Sequence, residues 1–331
     1  MRFLTIRWPV HLFNPLWNAA GGSEWRTIGL YREFEGRCEA TLWSSSEPDP
    51  LLAGKYPIRR VVPRRLKFPK AGTFVFVGVY WPLGRWVHLT VPRRIILIYN
   101  SPQPARLARV LARLSRRGSR AVELVYASEA VKQSTGLPGV VHPSPIDLDR
   151  FTPVPRTSGS NTDDPFTVGR LSRDVPEKHH ADDAQFYRRL VEAGCRVRVM
   201  GGTCLAKQVD AGPGIELLPT LAEEPHVFLQ GLDCFFYRTA HYWTEPLGRV
   251  VLEAMACGLP VVCDHRGGYR DMIQSGRNGF LFEDEREALE ILMRLKEDRT
   301  LRDAIGGAAH ETVRALFSPE RRRELADFYM R

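Results

Sequence analysis

Two glutamates, Glu245 and Glu253, interrupt an otherwise apolar stretch, WTEPLGRVVLEAMACGLPVVCD from Trp243 to Asp264. Carboxylates accept hydrogen bonds from vicinal hydroxyls, and an acidic side chain that holds a ribose is one use of that chemistry. The pair is eight residues apart, a rise of roughly 12 Å if the stretch is wholly helical, which suits a ligand with a sugar at each end. Between them Gly248, Arg249 and Val250 open the helix, where backbone N–H groups and the positive end of the dipole favour an anion such as a diphosphate. A core helix with two salt-bridged glutamates has the same spacing, because a buried carboxylate needs a partner whether or not a ligand supplies it. Earlier in the chain, Arg170 ends the strand-like FTVGR and Lys178 follows in PEKHH. Two cations near a strand's carboxyl end can hold a diphosphate, Arg by its fork and Lys as a compact charge. Near the amino end, Gly21 and Gly22 would let backbone approach a phosphate or sugar closely, with Ser23 placed to cap the following helix. An ordinary tight turn reads the same way.

The elements that must position these residues alternate between strand and helix patterns. TFVFVGVYW and RRIILIYN are short apolar runs of the kind found inside parallel sheets, and RFLTIRWPV reads as the first strand. RLARVLARLSRRGSR is a basic amphipathic helix whose Leu107, Val110, Leu111 and Leu114 suit packing on a sheet. The apolar helix around Val250 to Ala256 stops at Gly258 and Pro260 before the strand VVC. PVPRTSGSNTDDP, from Pro153, has the composition of an interdomain linker. With 331 residues, 44% of them apolar, the chain can fill two cores. The opening residues read as strand rather than signal peptide, and no apolar run reaches membrane-spanning length, so a cytoplasmic protein is expected. Six cysteines without a CxxC pair suggest reduced, mostly buried thiols.

Glu245 and Glu253 with seven residues between them, the following AMACGLPVV, and then Gly267 and Gly268 resemble the signature of retaining GT-B glycosyltransferases of the family-4 type. The resemblance implies an α/β protein with two Rossmann-like β/α/β domains facing a central cleft. Residues 1–150 would form the acceptor-binding domain, 151–315 the nucleotide-sugar-binding domain, and 316–331 a helix returning toward the first. It implies that Glu253 holds the ribose, that Glu245 contacts the transferred sugar, and that Arg170 and Lys178 hold the diphosphate. Lys178 lies later than the family's lysine, which makes Arg173 the alternative cation. The glycine loop at Gly21 and Gly22 would face the donor. Where the family often has a histidine after a strand of the first domain, this chain has Tyr99, Asn100, Ser101 and Pro102, so Asn100 is the stand-in. The implied reaction moves a sugar from a nucleotide diphosphate sugar to a glycan or glycolipid, as in cell-surface polysaccharide or lipopolysaccharide synthesis. It needs neither a protein nucleophile, a metal nor another cofactor. A sugar-nucleotide epimerase of the same fold and a catalytically silent subunit are the alternatives.

The charge is uneven. Residues 1–150 carry 23 Lys and Arg against 10 Asp and Glu, a surplus of 13, whereas residues 151–331 carry 24 against 28. No acidic residue occurs between positions 51 and 122, and KYPIRRVVPRRLKFPK interleaves cations with apolar side chains. Such a surface suits peripheral contact with an anionic membrane, at its inner face for a cytoplasmic enzyme. A solvated basic face with no dedicated partner is the plainer reading. Nothing identifies a base-reading module, so nucleic acid is not the expected partner.

Overall fold

The computed structural model describes residues 8–80, 83–115, 121–154, 164–209 and 212–331. The chain divides into two compact units, Met1–Pro145 with Ser318–Arg331, and Ile146–Phe317. In the first unit β1 (Val10–Phe13), α1 (Gly22–Phe34), β2 (Ala40–Ser44), α2 (Pro50–Ala53), β3 (Ile58–Arg60), β4 (Ala71–Val77) and β5 (Val91–Tyr99) lead to α3 (Pro104–Ser115), β6 (Val122–Tyr126), α4 (Glu129–Thr135) and β7 (Val140–Val141). Among the described residues its strands form one parallel sheet in the order β3-β2-β1-β4-β5-β6-β7. The first strand starts at Val10, later than the run RFLTIRWPV suggests, and residues 1–7 of that run lie outside the described residues.

The period of two sorts this sheet into an aliphatic and an aromatic face. Val10, Leu12, Val75, Val77, Ile96 and Ile98 point to one side, where they pack with Ile28, Leu30 and Phe34 of α1. Phe13, Phe74, Phe76, Leu97, Tyr99 and Tyr126 point to the other, against Trp86 and against Leu107 and Leu114 of α3. Burial on both faces is what a parallel sheet requires.

The second unit runs β8 (Phe166–Leu171), α5 (Asp183–Glu192), β9 (Cys195–Met200), β10 (Ile215–Leu218), α6 (Pro225–Gln230), β11 (Cys234–Tyr237), α7 (Arg249–Ala256), β12 (Val261–Asp264), β13 (Phe280–Phe282), α8 (Glu285–Glu297) and α9 (Arg299–Leu316). Its parallel sheet has the order β10-β9-β8-β11-β12-β13. Residues 155–163 of the expected linker lie outside the described residues. The closing helix α10 (Pro319–Met330) belongs to the first unit, where Ala326, Tyr329 and Met330 join the aliphatic core and Arg322 pairs with Glu33 of α1 at 2.8 Å. All six cysteines are free, and Cys204 is the exposed one.

In both sheets the strand order reverses beside the first strand, between β1 and β4 and between β8 and β11. Ligands of open α/β sheets bind outside the carboxyl ends of the strands at such a reversal. Both units therefore present one edge suited to a ligand.

Candidate active site

The second unit gathers its charged residues at the β8–β11 reversal. Arg170 lies one residue from the end of β8, and a single 3-10 turn, Pro176–Lys178, brings Lys178 back over the strand ends. Tyr237 ends β11, and Glu245 lies in the loop that follows. The Lys178 ammonium pairs with Oε2 of Glu245, and the Tyr237 hydroxyl donates to the same oxygen at 2.9 Å. The Lys178 Nζ also lies 5.5 Å from the centre of the Trp243 ring. The Glu245 side chain is 12% exposed. Burial pushes its carboxyl up, but the Lys178 charge and the hydrogen bonds from Lys178 and Tyr237 outweigh it and hold the group below the ordinary carboxylate value. Its backbone carbonyl accepts from Gly268 N at 2.8 Å, which ties the loop to the glycine pair.

Arg170 sits behind this pair rather than beside open space. It is 1% exposed, and its guanidinium donates to Asp183 Oδ2 at 3.1 Å, to the Arg238 carbonyl at 3.0 Å and to the Lys178 carbonyl. Its guanidinium thus grips the backbone that carries Lys178. Asp183 is fully buried and is the hub of this support, accepting also from His180 N at 2.9 Å and Arg238 Nε at 2.6 Å. Arg173, the alternative cation, is 38% exposed and 3.7 Å from Glu177.

The helix α7 starts at Arg249, so Glu245 lies before it and the interval between the glutamates is only partly helical. Gly248 is the N-cap, in the left-handed region at φ 76°, and a Cβ there would lie 2.4 Å from Cδ1 of Tyr269. Only glycine suits both the dihedral and the ring. Glu253 is 6% exposed, and its Oε1 accepts from Arg249 Nε at 2.8 Å, one turn back. One accepted bond leaves a carboxylate with capacity for further donors such as ribose hydroxyls. Burial raises the Glu253 carboxyl above its ordinary value, against the opposing charge and hydrogen bond of Arg249. Val250 is half-buried in the first turn.

In the first unit Gly21 is the N-cap of α1 and Gly22 its first residue. A Cβ on Gly21 would meet Oε2 of Glu24 at 2.0 Å, whereas nothing lies within 4 Å of one on Gly22. Ser23 does not cap the helix as expected; it lies inside it and donates to Glu24 Oε2 at 2.8 Å. Asn100 follows β5 and is half-buried beside Gly78, with Ser101 Oγ 3.5 Å from its Oδ1.

Sequence reasoning marked the aromatic stretch RTAHYWT, which contains Arg238 and Trp243, as lining the cleft but missed Asp183 and Tyr237 as parts of the site. The strand pattern CFFYRT showed where Tyr237 and Arg238 lie, but nothing in it marked their side chains as supports. One group of possible metal ligands occurs among the described residues, Asp174, His179 and Cys204, with ligand atoms within 4.8 Å of one another. Its members are already engaged as a clamp between loops. Asp174 accepts from Cys204 N at 2.8 Å and Thr203 N at 3.2 Å, and His179 Nε2 bonds the Gly201 carbonyl at 2.8 Å.

Two parallel α/β units with these strand orders are the GT-B fold. Residues 156–312 match the family model of glycosyl transferases group 1. Anabaena HepE, solved in complex with UDP and glucose, superposes with a TM-score of 0.73 at 15% identity over 97% of this chain and 99% of its own. The capsular polysaccharide biosynthesis glycosyltransferase CapM of Staphylococcus aureus is 26% identical over 169 residues, 47% of this chain and 43% of its own length. The D-inositol 3-phosphate glycosyltransferase of Geodermatophilus obscurus is 33% identical over 172 residues, 44% of this chain and 36% of its own. The chain thus spans less than half the length of these curated relatives.

Proposed function

We propose that the protein is a retaining glycosyltransferase that uses a nucleotide diphosphate sugar without a metal and builds a polysaccharide or lipopolysaccharide. The observation that carries this reading is the Lys178–Glu245–Tyr237 cluster at the β8–β11 reversal, with the buried Glu253 one helix further on. In this reading Glu253 accepts from the ribose hydroxyls. The first N–H groups of α7, together with Lys178 and Arg173, face the diphosphate, and Glu245 orients the sugar. Arg170 and Asp183 act through Lys178, holding its backbone in place. As the bond from the anomeric carbon to the phosphate oxygen breaks, negative charge grows on the nucleotide diphosphate, which fixed N–H groups and Lys178 stabilise. The acceptor hydroxyl attacks on the same face, and its proton passes to a phosphate oxygen of the leaving group.

HepE's complex with UDP-glucose supports UDP-sugars as the first donors to try. The deciding experiment is incubation with UDP-glucose and a glycan acceptor panel in EDTA, with products read by mass spectrometry and anomeric NMR. A glycoside with the donor's anomeric configuration and released UDP are expected. An inverted linkage or an EDTA-sensitive rate contradicts the mechanism, an epimerised donor without transfer favours the epimerase reading, and inert donor binding favours a silent subunit.

Peripheral contact with an anionic membrane, on the cytoplasmic side, belongs to the same proposal. Leu66, 64% exposed in the left-handed region at φ 54°, projects from a turn in which Arg64, Arg65 and Lys67 are all exposed. No helix among the described residues is long and apolar enough to cross a membrane. Binding to phosphatidylglycerol vesicles that fades with salt is expected; no binding at low salt contradicts it.

A further inference from the structure

At the β1–β4 reversal of the first unit, the loops that leave these two strands carry features the fold itself does not require. Three non-glycine residues among those described have backbone in the left-handed region, Leu16, Leu66 and Leu221, and only Leu16, at φ 51°, is buried. Strained backbone of this kind persists where its surroundings impose it, often at binding sites. Here the constraint is visible. Asn14 Oδ1 accepts from Leu16 N at 2.8 Å while Asn14 Nδ2 donates to the Val77 carbonyl at 3.1 Å, at the end of β4. Asp49 N donates to the Leu16 carbonyl at 2.7 Å, and Asp49 Oδ2 accepts from Ala19 N at 3.0 Å. With Leu16 turned inward and pinned, the next residue, Trp17, stands 54% exposed. Across the reversal, Tyr80 is 39% exposed three residues beyond β4, and the Arg106 guanidinium lies 5.0 Å from its ring centre. Arg106 is exposed in the first turn of α3, and among the described residues no carboxylate lies within ion-pair distance of it. The stretch from 51 to 122 contains no acidic residue to supply one.

We propose that Trp17, Tyr80 and Arg106 bind the acceptor, and that this acceptor presents a pyranose face together with an anionic group; the assignment rests on the glycosyltransferase reading above. The C–H face of a sugar ring carries partial positive charge that packs against the negative face of an aromatic ring, while its hydroxyl rim stays in water. A half-exposed indole that follows a pinned backbone suits that ligand. The guanidinium supplies the fork for a carboxylate or phosphate. The two sources of that charge, a sugar acid or a sugar phosphate, share this chemistry and are separable by experiment.

The test is ligand-observed NMR on the full chain with methyl glucuronoside, glucose 6-phosphate and neutral methyl glucoside, in the wild type and in Trp17→Ala, Trp17→Phe, Tyr80→Ala and Arg106→Ala. UDP binding is measured in parallel. At least one anionic saccharide is expected to bind more than tenfold tighter than the neutral glycoside, and which one does so identifies the charged group. Trp17→Ala should weaken it at least tenfold and Trp17→Phe less, and Arg106→Ala should abolish the preference for charge, all with unchanged UDP binding. Because Trp17 and Arg106 are exposed, these variants should melt with the wild type; were Trp17→Ala to unfold, Trp17→Phe and Arg106→Ala carry the same test. Equal binding by wild type and variants, or no saccharide binding while phosphatidylglycerol vesicles quench tryptophan fluorescence in a Trp17-dependent way, overturns the proposal. Loss of UDP binding in the wild type would instead remove the transferase reading.

Discussion

At the scale of single residues, the site is a set of paired charges around Lys178 and Asp183, so substitutions there have defined consequences. Lys178→Ala removes a cation from the place where leaving-group charge would grow and leaves Glu245 buried without its partner. A fall in kcat of about 100- to 1000-fold is expected, with some loss of stability, read by steady-state kinetics and urea unfolding. A kcat within threefold of wild type would place the diphosphate elsewhere. His179 gives a pH signature. Burial, with the nearby Arg170 charge, lowers its pKa from the ordinary 6.5 to about 4. The folded form therefore stays neutral while the unfolded chain takes up a proton. The resulting stability is complete above about pH 6.5 and is lost as pH falls toward 4, at most roughly 3 kcal/mol for this residue. His179→Gln should flatten the decline of urea stability between pH 7 and 4.5, whereas parallel curves would contradict the assignment. The sequence showed Glu245 and Glu253 as candidates because charge in an apolar stretch stands out, whereas Arg170 and Lys178 stood out through the order of the family-like motifs around them. It could not show that Arg170 faces inward, since that depends on Asp183, thirteen residues away in sequence and 3.1 Å away in space.

At the scale of elements, the start of α7 depends on one backbone conformation. Gly248→Ala places a methyl against Tyr269 at a φ of 76°, and a loss of about 1 to 3 kcal/mol with weakened nucleotide binding is expected from urea unfolding and calorimetry. Gly22→Ala is its counterpart. Nothing crowds the added methyl there, so stability should hold or rise by about 0.5 kcal/mol, and any fall in turnover then reports backbone approach to a ligand. A Gly22→Ala variant that unfolds early would contradict this account of α1. The helix–strand alternation was legible from period and composition, down to the stop at Gly258. Boundaries were less so. The strand β1 starts at Val10, because its pairing partners are not written in local sequence, whereas α7 starts at Arg249, beside the expected opening at Gly248.

At the scale of the whole molecule, the chain builds the first unit from both of its ends, as Tyr329 and Met330 of α10 fill the core around Phe34 and Leu30. Deletion of residues 318–331 should strip amide-exchange protection from β1, β4 and β5 while β8 and β11 keep theirs; uniform loss across both sheets would contradict independent units. Two β/α halves with opposite charge were evident from sequence, whereas the reversal points that place the sites emerged only from strand order. In the proposed function the second unit holds a nucleotide through Glu253. The most direct test is the thermal shift of wild type and Glu253→Gln with UDP, GDP and ADP in EDTA. One nucleotide should raise the wild-type melting temperature, and Glu253→Gln, folded as before, should lose most of that rise. An equal rise in both proteins, or none with any nucleotide, would contradict it.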